Sequence, residues 1–91
     1  MNSSMLDILA CPIDKHYPLE LFPIVSEGPI VKEGVLFCTK CSRYYPIIDE
    51  IPIMLPDELR ERRKTEDIEF LRKWQSKIPD KVIRRGNPWH L

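Results

Sequence analysis

Three cysteines and one aspartate carry the clearest chemical signal in this chain. Cys38-Thr39-Lys40-Cys41 sets two thiols apart by two residues, the spacing at which a turning chain brings both thiolates to one tetrahedral ion. A closed site needs a second pair. Cys11-Pro12-Ile13-Asp14 has the same spacing, with a carboxylate where a fourth thiol would stand, and carboxylate oxygen does bind zinc. His16 competes for that position, and a third reading leaves the site without metal, its thiols packed as small apolar groups. Four protein ligands would leave no open position for a reacting water, so a filled site would be structural. A short chain has a marginal core, and complete zinc sites contribute on the order of 10–16 kcal/mol in apparent terms.

Other chemistry finds no support. Three widely spaced glycines make no phosphate-cradling loop, and Ser42, His16 and His90 suggest no triad. A redox role for Cys38 and Cys41 would be expected inside a βαβ pattern, which is missing. We therefore expect no enzyme. The stretch MNSSMLDILAC lacks the basic start of a signal peptide, and no apolar run approaches the ~18 residues of a membrane span. The expected location is cytoplasmic, where an odd cysteine count fits metal better than disulfides.

Net charge is zero over 91 residues, which argues against a dedicated nucleic-acid binder. The charge is uneven: residues 1–56 hold four basic and seven acidic side chains, residues 57–91 ten and seven. A zinc-ribbon nucleic-acid module using Arg60, Arg62, Arg63, Lys64, Arg84 and Arg85 is thus the alternative to a solvated helical surface.

The elements that must position these residues follow from local pattern. Ser4 and Asp7 suggest a short capped helix ending at Cys11-Pro12. YPLELFPIV reads as a strand cut short by Pro23, SEGP as a turn, and IVKEGVLFC as a second strand with a turn or bulge at Glu33-Gly34. RYYPII and IPIML pair around Asp49-Glu50, which lacks the glycine of a tight two-residue hairpin, so a looser turn is expected. Pro56-Asp57-Glu58 opens a helix, and Thr65 is placed to cap its continuation or a second helix. Ile68, Leu71, Trp74 and Ile78 form a core stripe there, and Pro79-Asp80 ends it. KVIRR suggests a last short strand, and Trp89 a docked tail. The expected class is α+β: a small zinc-ribbon-like antiparallel sheet with a short N-terminal helix and C-terminal helices. Residues 1–91 are read as one domain, a ribbon part over 1–56 and a helical extension over 57–91.

One segment resists that simple reading. Between Tyr44 and Leu55 the chain is almost wholly apolar, yet Pro46 and Pro52 fall inside it and Pro56 closes it. Proline is tolerated at sheet edges, and these apolar positions would face both sides of a sheet. Cover must come from a partner protein, by strand addition or packing, or from the chain's own C-terminal helices.

The blocks LDILACPID and EGVLFCTKCSRYYPIIDEIPIMLPDE resemble the Trm-one-twelve family, small zinc-ribbon activator subunits of methyltransferases, over roughly residues 5–60. The family pattern runs from a leucine-rich start into Cys-Pro-x-Cys, then Glu-Gly-x-Leu-x-Cys-x-x-Cys-x-Arg-x-Tyr-Pro-Ile, Ile-Pro and Leu-Pro-Asp-Glu. Asp14 departs from it in place of the fourth cysteine, and Glu50 in place of a glycine before Ile51-Pro52. The chain is similar to the short archaeal-type form. The resemblance implies a non-catalytic subunit, heterodimeric with class I S-adenosylmethionine-dependent methyltransferases acting on tRNA, rRNA or a release factor. It implies structural zinc, with Cys11, Cys38 and Cys41 holding the ribbon and Asp14 in the fourth place. By position it assigns partner binding to Tyr45, Pro46, Ile47, Ile48, Ile51, Pro52 and Ile53.

Overall fold

The computed structural model describes residues 1–91. Four strands form an antiparallel sheet in the order β1-β2-β3-β4: β1 (Glu20–Glu27), β2 (Ile30–Phe37), β3 (Tyr44–Ile48) and the two-residue β4 (Ile51–Pro52). A 3-10 helix over Ser3–Asp7 precedes the sheet; α1 (Asp57–Arg60), α2 (Lys64–Lys73) and α3 (Asp80–Arg85) follow it. This is the α+β, zinc-ribbon-like class expected from sequence.

The first helix is capped by Asn2 rather than Ser4: the Asn2 side chain accepts from the Ser4 N–H at 3.0 Å. β1 does not stop at Pro23 but runs on to Glu27, with register irregularities just after the proline. An edge strand permits this, because a proline there need not remove a ladder hydrogen bond. Nor does β2 turn at Glu33-Gly34. The strand carries on, but the pairing register shifts on either side of Glu33, the bulge alternative of that expectation. Gly34 serves close packing, since a Cβ there would lie 3.0 Å from the Phe22 carbonyl oxygen. The turn at Gly28-Pro29 is as expected, with Gly28 at φ +56°.

The β3–β4 connection is tighter than its sequence suggests. Ile48 pairs with Ile51, leaving two turn residues, Asp49 at φ 53° and Glu50 at φ 69°. Both lie in the left-handed region that tight hairpins use. Glu50 is held there from outside the turn. Its N–H donates to the Lys32 carbonyl at 3.0 Å, and its own carbonyl accepts from the Met1 nitrogen.

Alternation along β2 and β3 divides the core in two. Val35, Phe37 and Tyr44 pack against Phe70, Leu71, Ile78, Val82 and Ile83 of the helical part. Leu36, Tyr45 and Ile47 pack on the other side with Met1, Cys11, Leu19, Val31 and Cys38. The β3 part of the apolar, proline-rich segment is therefore covered on both faces by its own chain, while Ile51 beyond the turn stays exposed. The C-terminal helices cover one face, and the N-terminal segment covers the other.

Ile68 and Trp74 are half-buried beside Leu71 and Ile78, as the stripe predicts. KVIRR, read as a strand, is instead within α3: Pro79 precedes it at φ −58°, pre-set for a helix start, and Val82 and Ile83 bury together. Thr65 does not cap; α2 starts at Lys64 without a side-chain cap. Trp89 docks half-buried, its Nε1–H 3.3 Å from Asp67 Oδ2. No helix is long and apolar enough to cross a membrane.

Candidate functional site

Two short turns of the same build bring the sulfur ligands together. In the first, the Lys15 N–H donates to the Cys11 carbonyl at 2.9 Å and the Cys11 N–H to the His16 carbonyl at 3.0 Å. In the second, the Ser42 N–H donates to the Cys38 carbonyl at 2.8 Å and the Cys38 N–H to the Arg43 carbonyl at 2.8 Å. Lys15 and Ser42, at equivalent positions, both have positive φ, 64° and 62°. Superposing the two patterns puts Asp14 where Cys41 stands. The backbone thus treats Asp14 as the fourth knuckle residue and His16 as its supporting neighbour.

The side chains agree. Ligand atoms of Cys11, Asp14, Cys38 and Cys41 all lie within 4.8 Å of one another. Cys11 Sγ and Cys41 Sγ are 3.8 Å apart, and Cys38 Sγ is 3.4 Å from Asp14 Oδ2. A tetrahedral zinc with ordinary Zn–S and Zn–O lengths requires edges of about 3.8 Å between sulfurs and about 3.5 Å between sulfur and oxygen. The donor set fits the ion. His16 instead turns its ring to Thr39 Oγ1 at 3.0 Å and its backbone N–H to Asp14 Oδ1 at 2.9 Å.

The electrostatics suit a cation. The His16 backbone N–H holds the Asp14 carboxyl far below the usual range, so the group stays anionic. Burial pushes the Cys38 thiol up to about 12. Three ionisable sulfurs beside a carboxylate would repel one another as anions, and a divalent ion removes that opposition. Tyr45 sits beneath with its hydroxyl 3.1 Å from Cys11 Sγ, positioned to donate to a thiolate. Zinc held here would supply cross-linking of the two turns rather than reactivity.

The residues assigned to partner binding divide by exposure. Tyr45, Pro46 and Ile47 are buried in the chain's own core and present no side-chain surface. Ile48, Pro52 and Ile53 are half-buried, and Ile51 is 60% exposed. Of these seven residues, Ile51 on β4 therefore offers the outward apolar surface, a lip with Ile48, Pro52 and Ile53 around it. Of the basic residues, Arg62, Lys64, Arg84 and Arg85 are exposed, Arg63 is half-buried, and Arg60 is wholly buried. Arg60 cannot touch a phosphate.

Arg60 has a role that the sequence does not announce. Its Nη2 donates to Asp67 Oδ2 at 3.0 Å and its Nη1 to the Tyr44 carbonyl, while its guanidinium lies 4.8 Å from the Tyr44 ring centre. Arg60 and Asp67 stand seven residues apart in sequence, on either side of the 3-10 stretch Glu61–Arg63 that joins α1 to α2, so no neighbouring-turn pattern links them.

A four-strand ribbon with paired knuckles and a partly buried three-thiol, one-carboxylate cluster defines a small zinc-ribbon-like protein. The Trm112p-like protein family matches residues 2–50, more than half of the chain, and the chain belongs to that family. It is 38% identical over 72 residues to a UPF0434 protein of Methylobacillus flagellatus, covering 76% of this chain and 100% of that one. A UPF0434 protein of Dechloromonas aromatica is 41% identical over 61 residues, 67% of this chain and 90% of the relative. Among solved structures, the chain is similar to the Haloferax volcanii Trm112 methyltransferase activator, captured in complex with a candidate methyltransferase. The TM-score is 0.62 and the identity 42%, over 66% of this chain and 100% of that one.

Proposed function

We propose that this chain is a non-catalytic subunit that binds and activates an S-adenosylmethionine-dependent methyltransferase of class I, forming a heterodimer. The observation that carries the reading is the likeness, in both sequence and shape, to the Haloferax activator along that protein's whole length. The substrates are tRNA, with rRNA or a release factor as other targets of the enzyme partner, and the complex is cytoplasmic. RNA is reached through the enzyme. Residues 1–91 act as one domain, with the ribbon part over 1–56 meeting the partner and the extension over 57–91 supporting it.

Within the ribbon, Ile51 makes the first contact, with Ile48, Pro52 and Ile53 around it. Tyr45, Pro46 and Ile47 support this lip from the core. Cys11, Asp14, Cys38 and Cys41 hold one zinc ion that fixes the two knuckles against each other. An exposed apolar lip on so small a protein is an aggregation hazard, and a partner's apolar surface covers it.

The test is affinity purification of the tagged chain from its own cells through a high-salt wash, with mass spectrometry of what remains. A methyltransferase recovered near one-to-one is the expected outcome. Recovery of nucleic acid alone, or of no methyltransferase, would contradict the reading.

A further inference from the structure

The outer side of β3, which faces away from β2, is paired with β4 at Ile47 and Ile48, and the rest of it, from Tyr44 to Pro46, carries few backbone groups. The Tyr44 N–H and C=O point outward, as does the Pro46 C=O; proline supplies no N–H there. Each already has a partner from later in the chain. The Tyr44 N–H donates to the Asn87 carbonyl at 3.2 Å, the Tyr44 carbonyl accepts from Arg60, and the Pro46 carbonyl accepts from the Ile53 N–H at 2.9 Å. Asn87 also lies beside the residues that lead into β3, in an isolated parallel bridge with Arg43, donating its own N–H to the Ser42 carbonyl at 2.8 Å and its side-chain amide to the Cys41 carbonyl at 2.9 Å. A segment of the extension thus stands in the place of a strand.

The segment is built to lie there. A Cβ on Gly86 would sit 2.7 Å from a carbon of the Tyr44 ring, so only glycine lets the chain approach. Trp89, two residues beyond Asn87, is tied to Asp67 and so to Arg60. The family match ends at residue 50, and the Haloferax activator is matched in full by 66% of this chain. About a third of the chain has no counterpart in that activator. The buried polar cluster behind the segment is also incompletely satisfied. Arg60 Nε, Asp67 Oδ1 and the Tyr44 hydroxyl have no partner, a cost that hydration on opening would relieve.

We propose that residues 86–89 are a removable guard on the outer edge of β3, and that the partner docks by exchanging this guard for an extended strand of its own. The inference rests on the methyltransferase reading and adds regulation to it. The free chain is kept from pairing edge to edge with other chains, and the edge opens only for a strand that matches it. If the edge is free about a tenth of the time, removing the guard raises apparent affinity about tenfold.

The experiment uses the Haloferax methyltransferase as probe, with the Haloferax activator as binding control. Three chains are titrated: the intact protein, a deletion of residues 87–91, and Gly86→Ala, which wedges the segment outward if the deletion fails to fold. Amide exchange is followed in the free and bound states of the intact protein. Tighter binding by an opened variant is expected, together with loss of protection at the Asn87 amide on complex formation while the Tyr44 amide stays protected. Equal affinities with Asn87 still protected in the complex would overturn the guard and leave the methyltransferase reading standing. No complex with any of the three chains, while the control binds, would remove that reading and the guard with it.

Discussion

Arg60 shows how much a single side chain carries in a chain of this size. Its charge is fully buried and balanced by Asp67, whose side chain is 1% exposed. Removing one partner of such a pair leaves an uncompensated buried charge, which costs about 3–5 kcal/mol. Arg60→Met should therefore lower the unfolding free energy by that amount in urea titration. The double variant Arg60→Met, Asp67→Leu should recover much of the loss, because apolar replacement of both partners is often neutral. Glu50 tests the opposite sign. At φ 69° it occupies backbone space that glycine enters without steric cost. Glu50→Gly should raise stability by about 0.5–1 kcal/mol, read in the same titration. Neither feature was legible in the sequence. Asp49-Glu50 lacks the glycine that marks a tight hairpin, and its conformation is imposed by a hydrogen bond to the Lys32 carbonyl and one from the Met1 nitrogen, both far away in the chain. Arg60 looked like one more surface cation among several.

Among the elements, the two knuckles were the most legible, because a spacing of two residues between ligands is itself a geometric statement. That Asp14 rather than His16 stands at the fourth knuckle position is visible only in the matching turns, which depend on backbone angles at Lys15 and Ser42. Short apolar runs were the least legible. VI in KVIRR packs equally well from strand or helix, and Pro79 settled the matter by favouring a helix start. The join between β3 and α1 is made by Arg43, whose Nη2 lies 2.7 Å from Asp57 Oδ2. The Arg43 guanidinium lowers the Asp57 carboxyl below its ordinary value. A carboxyl that is more acidic folded than unfolded stabilises the fold at pH values above its unfolded range and loses that contribution as pH falls through the folded one. Stability should therefore decline from about pH 4 downward. In Asp57→Asn that part of the decline should be missing, with lower stability near neutrality, and circular dichroism across an acid titration checks both. The pair is partly solvent-exposed, so the effect is a fraction of the buried one at Arg60.

The whole molecule is a sheet closed on one face by its N-terminal segment and the three-cysteine, one-aspartate cluster, and on the other by an extension. Only the first half of that plan belongs to the part that the family match spans. Zinc held by these four residues would join residues 11–14 to 38–41 across the first face, so chelation should loosen that face while the helical face holds. We expect one zinc per chain, a drop of several kcal/mol in unfolding free energy on chelation, no retained zinc in Asp14→Ala, and tighter retention in Asp14→Cys. Zinc stoichiometry and denaturation before and after chelator follow these together. The position of the apolar surface also decides which substitution tests partner binding. Ile47 has no exposed surface, so Ile47→Asp would unfold the chain before it reported on an interface. Ile51, at 60% exposure, accepts a charge without disturbing the core. The most direct test is a calorimetric titration of Ile51→Asp against the methyltransferase recovered with the tagged chain. A loss of about a hundredfold in affinity with an unchanged circular dichroism spectrum is expected, as for a residue at the centre of an interface. Affinity equal to that of the unsubstituted protein would contradict the claim that this lip is where the partner binds.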